Sequence, residues 1–150
     1  MNTVKIEASY TPDELQKTYK ELDDEQLKAE LEAVNKELDK IYKAEKIVNA
    51  YKRLKSNEDF LTLFEEGFFD EEVKRVNELI VGDKGYVPRN LKRDQIENLV
   101  DKLLSVRHLK IYFVELDAKA DNIPQAKVDM ELAKRELKKE IEFRNKKGGK

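Results

Sequence analysis

Apolar residues recur along this chain at intervals of three and four, separated by Lys and Glu. Leu27, Leu31, Val34, Leu38, Ile41, Ala44, Val48 and Tyr51 form one such row, the stripe of an amphipathic helix built to pack on a partner. The spacing predicts a helix over 24–56, about 50 Å long at ~1.5 Å per residue. A helix this long with one narrow stripe needs a partner of similar length, because propensity alone stabilises it little. The matching row is Ala126, Met130, Ala133, Leu137 and Ile141, in a helix over 123–146. The two are predicted to pair antiparallel, Leu31 against Leu137 and Leu38 against Met130.

Before this pair, Thr11-Pro12-Asp13-Glu14 is a helix start: Thr11 caps, Pro12 suits the first helical position and Glu14 completes a capping box. The helix over 11–22 carries Leu15, Tyr19 and Leu22. The spacing then slips to Leu27, and Asp23 with Gln26 repeats the start signal, bracketed by Leu22 and Leu27 as a hydrophobic staple. A break at 22–24 is expected. In residues 1–10, Val4, Ile6, Ala8 and Tyr10 alternate with polar residues, the period of an extended strand. A lone strand is not stable by itself, so the segment reads either as a loosely docked tail or as an arm that becomes ordered by docking on a neighbouring subunit.

Between the two long helices lies Phe60-Leu61-Thr62-Leu63-Phe64-Glu65-Glu66-Gly67-Phe68-Phe69, read as the knot of a core. Asn57 caps a helix over 58–66, ended by Gly67 in the left-handed C′ position. Asp70 caps another over 71–81. A loop then runs from Gly82 to about Asn90; it lacks the Walker spacing of a phosphate cradle. From about 92 a helix carries the seam Ile96, Leu99, Leu103, Val106, Leu109, Phe113, Leu116 and Ala120, widened by Val100, Leu104 and Ile111. Around Leu109–Leu116 it is apolar on most sides, the pattern of a buried helix. Pro124 removes a backbone donor, so a kink or break is expected at 121–124, with Asp121 or Asn122 as cap. The fold class is all-α: one domain over 1–150, with a helical core (57–121), an antiparallel two-helix coiled-coil stalk (24–56 and 123–146), a short extended N-terminal arm and a frayed tail at 147–150.

Composition agrees with long helices: 41% of residues are charged, with only 5 Gly and 3 Pro. No cysteine is present, which excludes disulfides, thiolate metal sites and a thiol nucleophile and fits a reducing compartment. No run is apolar enough to span a bilayer and the N-terminus has no apolar signal segment. The charges are polarised. Residues 12–40 hold ten Asp/Glu against five Lys/Arg, and residues 134–150 hold eight Lys/Arg against three Glu. Two arms lying side by side explain this, and exposed pairs of ~0–1 kcal/mol each set register more than stability.

Chemistry is sparse. His108 is the single histidine and has no companion ligands. Asp23-Asp24, Glu65-Glu66 and Glu71-Glu72 are consecutive, so their members diverge on a helix, whereas acid/base work needs two carboxylates facing one substrate. No nucleophile elbow is present. The protein is expected to be non-enzymatic, without cofactor or metal. Lys138, Lys139, Arg144, Lys146 and Lys147 are the candidate nucleic-acid contacts, but only Phe143 is interleaved for stacking and Glu136, Glu140 and Glu142 dilute the field. Val4, Ile6 and Tyr10 on the arm, with Tyr42, Ile47 and Leu132 off the main seams, are the candidate protein contacts.

The run Leu54-x-x-Asn57-x-x-Phe60-x-x-Leu63, followed by Gly67-Phe68-Phe69-x-Glu71-Glu72-x-x-Arg75 and a long charged helix, resembles small helix-rich head- or packaging-associated structural proteins of tailed bacteriophages, over roughly 24–146. The resemblance implies a virion component, head- or portal-associated, that self-associates, meets other head or portal proteins and passes through the host cytoplasm during assembly. It carries over no catalytic residues. A DNA-packaging adaptor of small-terminase type and a helical scaffold or chaperone are the alternatives.

Overall fold

The computed structural model describes residues 7–82 and 91–148. Val4, Ile6, the rest of the loop after Gly82 and the last two residues lie outside them. The described residues are all-helical: α1 (Pro12–Lys20), α2 (Asp24–Lys55), α3 (Glu58–Phe60), a π-helix (Leu61–Glu71), α4 (Glu72–Val81) and α5 (Arg93–Gly148). The chain divides into two compact units, one of residues 1–47 and 119–150, the other of 48–118. Both divisions fall inside a helix, α2 and α5.

In the first unit the expected starts are present. The Thr11 hydroxyl accepts from the Glu14 amide while the Thr11 amide donates to the Glu14 carboxylate. Asp23 and Gln26 repeat the exchange at the head of α2, so the break at 22–24 stands. Tyr19, Leu27, Val34, Leu38, Ala133 and Leu137 form one buried cluster, with Leu15, Leu22, Leu31, Met130 and Ile141 packed on it. Asp24 pairs with Arg144, Tyr42 with Glu131 and Glu45 with Lys127; numbers that rise on α2 fall on α5, so the two run antiparallel. The residues expected to face across the pair all lie in this cluster. The expectation of a two-helix arrangement needs correction, because α1 is a third member. Its Leu15 and Tyr19 cover the stripe that two helices alone leave open.

In the second unit the Phe-rich stretch is the core. Phe60 and Phe69 are buried, beside Val48, Tyr51, Val76, Val106 and Leu116. Phe113 of α5 is the hub, with ring centroids 5.3 Å from Tyr51, 5.7 Å from Phe60, 6.3 Å from Phe64 and 5.7 Å from Phe69.

Four local expectations are corrected. Gly67 does not end a helix and Asp70 does not start one, because the chain runs through both as a π-helix. Phe60, Phe64 and Phe69 step by four and five, and only turns wider than those of an α-helix keep such a row on one face. A Cβ on residue 67 would meet the Thr62 carbonyl oxygen at 3.3 Å, so the glycine leaves room for the wide turn. The left-handed glycine is instead Gly82 (φ 79°), whose amide donates to the Glu78 carbonyl at 2.7 Å and ends α4. Pro124 does not break α5. An interior proline costs about 3 kcal/mol, and the helix runs on through it with Ile123 beside it buried. The tail is shorter than expected, since Lys147 and Gly148 belong to α5.

Candidate interaction surfaces

The candidate contact residues part company. Tyr10 is exposed, as are Tyr42 and Ile47, the last by 51%. Tyr42 is tethered: its hydroxyl donates to Glu131 at 3.0 Å and the Lys127 ammonium stands 5.4 Å over its ring. Leu132, expected on an open face, is only 8% exposed. It lines a cleft of about 520 Å³ with Ala8, Tyr10, Thr11 and Pro12, so the segment leading into α1 shields it. Residues 7–9 are bound to their own chain. The Ser9 amide and hydroxyl donate to Asp129 at 2.7 and 2.8 Å, and Gln125 donates to the Glu7 carbonyl at 2.8 Å. Burial pushes the Asp129 carboxyl up, but the hydrogen bonds from Ser9 and Gln125 outweigh it and hold the group below its ordinary range. Docking on a neighbour is therefore not needed to position this part of the arm.

The basic end is partly committed to its own chain. Arg144 donates to Glu140 at 2.9 Å and Asp24 at 3.1 Å, and also to the carbonyls of Tyr19, Lys20 and Leu22. Those carbonyls lie at and just beyond the end of α1, where a cation is favoured; the Tyr19 carbonyl also accepts from the Leu22 amide at 3.3 Å. The carboxylate of Glu136, a nearly buried residue, receives Lys139 at 2.7 Å, Gln16 at 3.0 Å and Arg135 at 3.1 Å. Burial raises its pKa, and the hydrogen bonds from Lys139, Gln16 and Arg135 together bring it below the usual value. Lys147 stands 4.4 Å over the Phe143 ring. Lys138 and Lys146 are exposed on α5.

No group of three or more potential ligands that could hold a metal occurs among the described residues. His108 is exposed on α5. The members of the Asp23-Asp24 pair diverge, Asp24 pairing with Arg144. Asp23 caps α2, while Glu72 is clamped by Arg75 and Lys102, whose hydrogen bonds hold it down to about 2.

Comparison of the chain with protein-family models, curated proteins and solved structures finds no match. One surface among the described residues is an apolar row on α5 that its sequence pattern placed in the core. Val100, Leu104, Ile111, Tyr112 and Val114 of α5 are all exposed, Val114 by 62%. The stretch around Leu109–Leu116, apolar on most sides and expected to be a core helix, has one covered face, on Phe113, Val106 and Leu116, and one open face. The available signal was the step of the open row: 100, 104, 111, 114 and 118 keep a seven-residue period of their own.

Proposed function

We propose that this protein is a non-enzymatic helical assembly component that works by packing preformed helix faces against protein partners. The observation that carries the reading is the regular apolar row on α5, set on a helix already fixed by its own core. Exposed rows of this kind mark contact surfaces. In the first unit we read α2 and α5 as an antiparallel coiled-coil stalk, with α1 as a short third strand and Tyr42 and Ile47 as further contact points. We further read the assembly as a virion one, head- or portal-associated and reached from the host cytoplasm, a reading that rests on the motif-level resemblance to phage head- or packaging-associated proteins alone. The adaptor alternative has less support, because Arg144 and Lys139 spend their charge inside the chain. It requires Lys138, Lys146 and Lys147 to carry DNA binding.

The test is light scattering of the full chain, and of a chain lacking residues 1–10, alone and with candidate capsid or portal proteins. Self-association or a stable complex is expected. A strictly monomeric protein that binds none of them overturns the reading. Salt-dependent DNA binding that is lost in Lys146→Glu/Lys147→Glu would establish the adaptor instead.

A further inference from the structure

The open face of α5 has an order that its partner must match. Val100, Leu104, Arg107, Ile111, Val114 and Ala118 step by four, three, four, three and four residues, the seam of a coiled coil. All six are exposed, and all lie in the second unit. Along the seam runs a groove of about 400 Å³, lined by Arg107, Lys110, Ile111, Val114, Glu115 and Ala118. The helix is already formed and held by its other face, so a partner need not offset the cost of nucleating it.

The step pattern reads the same from either end. A second copy laid antiparallel, centred on Leu109, therefore places Val100 opposite Ala118, Leu104 opposite Val114 and Arg107 opposite Ile111, each layer occurring twice about a two-fold axis. Charge decides the direction. A parallel, in-register pair sets Arg107 against its own copy in the middle of the seam, two like charges in an apolar layer. The antiparallel pair lays the Arg107 stem along Ile111 of the second copy, as long cationic side chains do on apolar surface. It also brings Glu115 of that copy within one helical turn of the guanidinium, twice over. The antiparallel direction thus takes the two Arg107 side chains out of a shared layer and sets each one turn from its copy and one turn from a Glu115, whereas the parallel pair stacks them directly.

We propose that the α5 face from Val100 to Ala118 is a self-association seam on which a second copy of this chain packs antiparallel. This rests on the assembly reading and names its self-contact; it requires no other protein. The natural chain has no cysteine, so placed thiols report register cleanly. In the full-length chain, the Leu104→Cys/Val114→Cys variant is expected to oxidise to a covalent dimer while each single variant does not. Positions 104 and 114 of one helix lie about 15 Å apart along the axis and cannot bridge each other. Sedimentation of the unmodified chain is expected to show a dimer that Ile111→Asp abolishes. Its helical circular dichroism and unfolding midpoint should stay unchanged at concentrations where both are monomeric, because residue 111 is exposed. A chain that is monomeric throughout, a dimer that survives Ile111→Asp, or cross-linking by Leu104→Cys alone overturns the proposal. A cross-linked dimer that binds no head or portal protein leaves the seam standing and removes only the virion assignment.

Discussion

Two leucines on α5 separate the covered face from the open one. Leu137 is 0% exposed within the first unit's cluster, and Leu104 is 45% exposed. Replacing Leu137 with alanine removes three carbons from full burial, about 2.4 kcal/mol at ~0.8 kcal/mol per methylene. Tyr19 and Leu27 sit on opposing helices in the same cluster and have little room to collapse inward. A residual cavity on the order of 50 Å³ adds about 1.2 kcal/mol at ~24 cal/mol per Å³. The sum, about 3.5 kcal/mol, lies inside the range measured for buried leucines. It corresponds to a melting-temperature drop of roughly 7–14 °C for a chain of this size. Leu104→Ala should cost less than about 1 kcal/mol, since it creates no cavity and the surroundings are already wet. The assay is urea unfolding followed by far-ultraviolet circular dichroism, at a concentration low enough to keep the chain monomeric. Equal losses for the two variants, or a Leu137→Ala shift below about 1 kcal/mol, would refute the assignment of faces.

Three further outcomes follow from the hydrogen-bond networks. Glu136 has a folded pKa below its unfolded value. Its contribution is therefore complete above the ordinary glutamate range and lost as pH falls through the lower folded value. Acid titration of stability should show a steeper acid limb for the natural chain than for Glu136→Gln. Arg144→Gln withdraws the donors at the end of α1, so amide exchange should accelerate at Tyr19–Leu22 while the amides of α4 keep their rates. Asp129→Asn weakens the anchor of Ser9 and should expose Glu7–Tyr10 to proteolysis with little change in overall helicity; unchanged cleavage would mean the anchor is dispensable.

Much of the fold was legible because caps are local. Thr11–Glu14 and Asp23–Gln26 are reciprocal bonds within four residues, and the chain announces them. The Phe-rich knot was legible as a core by its content, but its winding was not. The steps of four and five from Phe60 to Phe64 to Phe69 were read as a helix ending at Gly67, when they are the period of a wider turn. The stretch around Ile111 was misread for a different reason. A helix with two apolar stripes has the same composition whether both are covered or one, and coverage is decided by the rest of the fold. Leu132 erred in the opposite sense: a two-helix view left it outside, and the chain entering α1 closes over it. Arg144 carried no local signal. Its acceptors are carbonyls more than 120 positions earlier in the chain, and a lysine- and arginine-rich end looks the same whether it faces phosphates or a helix terminus.

The first unit is assembled from the two ends of the sequence, with the second unit spliced between them. Synthesis proceeds from the N-terminus, so residues 48–118 emerge as one contiguous stretch and have all their own partners in hand. Leu27, Val34 and Leu38 must wait for Ala133 and Leu137, which at ~5–20 residues per second leaves their stripe uncovered for several seconds. During that interval the nascent chain presents a bare apolar helix to whatever binds such surfaces, while its later-made middle is already able to close. Loss of the last few turns, by a premature stop or a trimming protease, would therefore be felt at the opposite terminus: α1 would lose its latch and the stripe of α2 its cover.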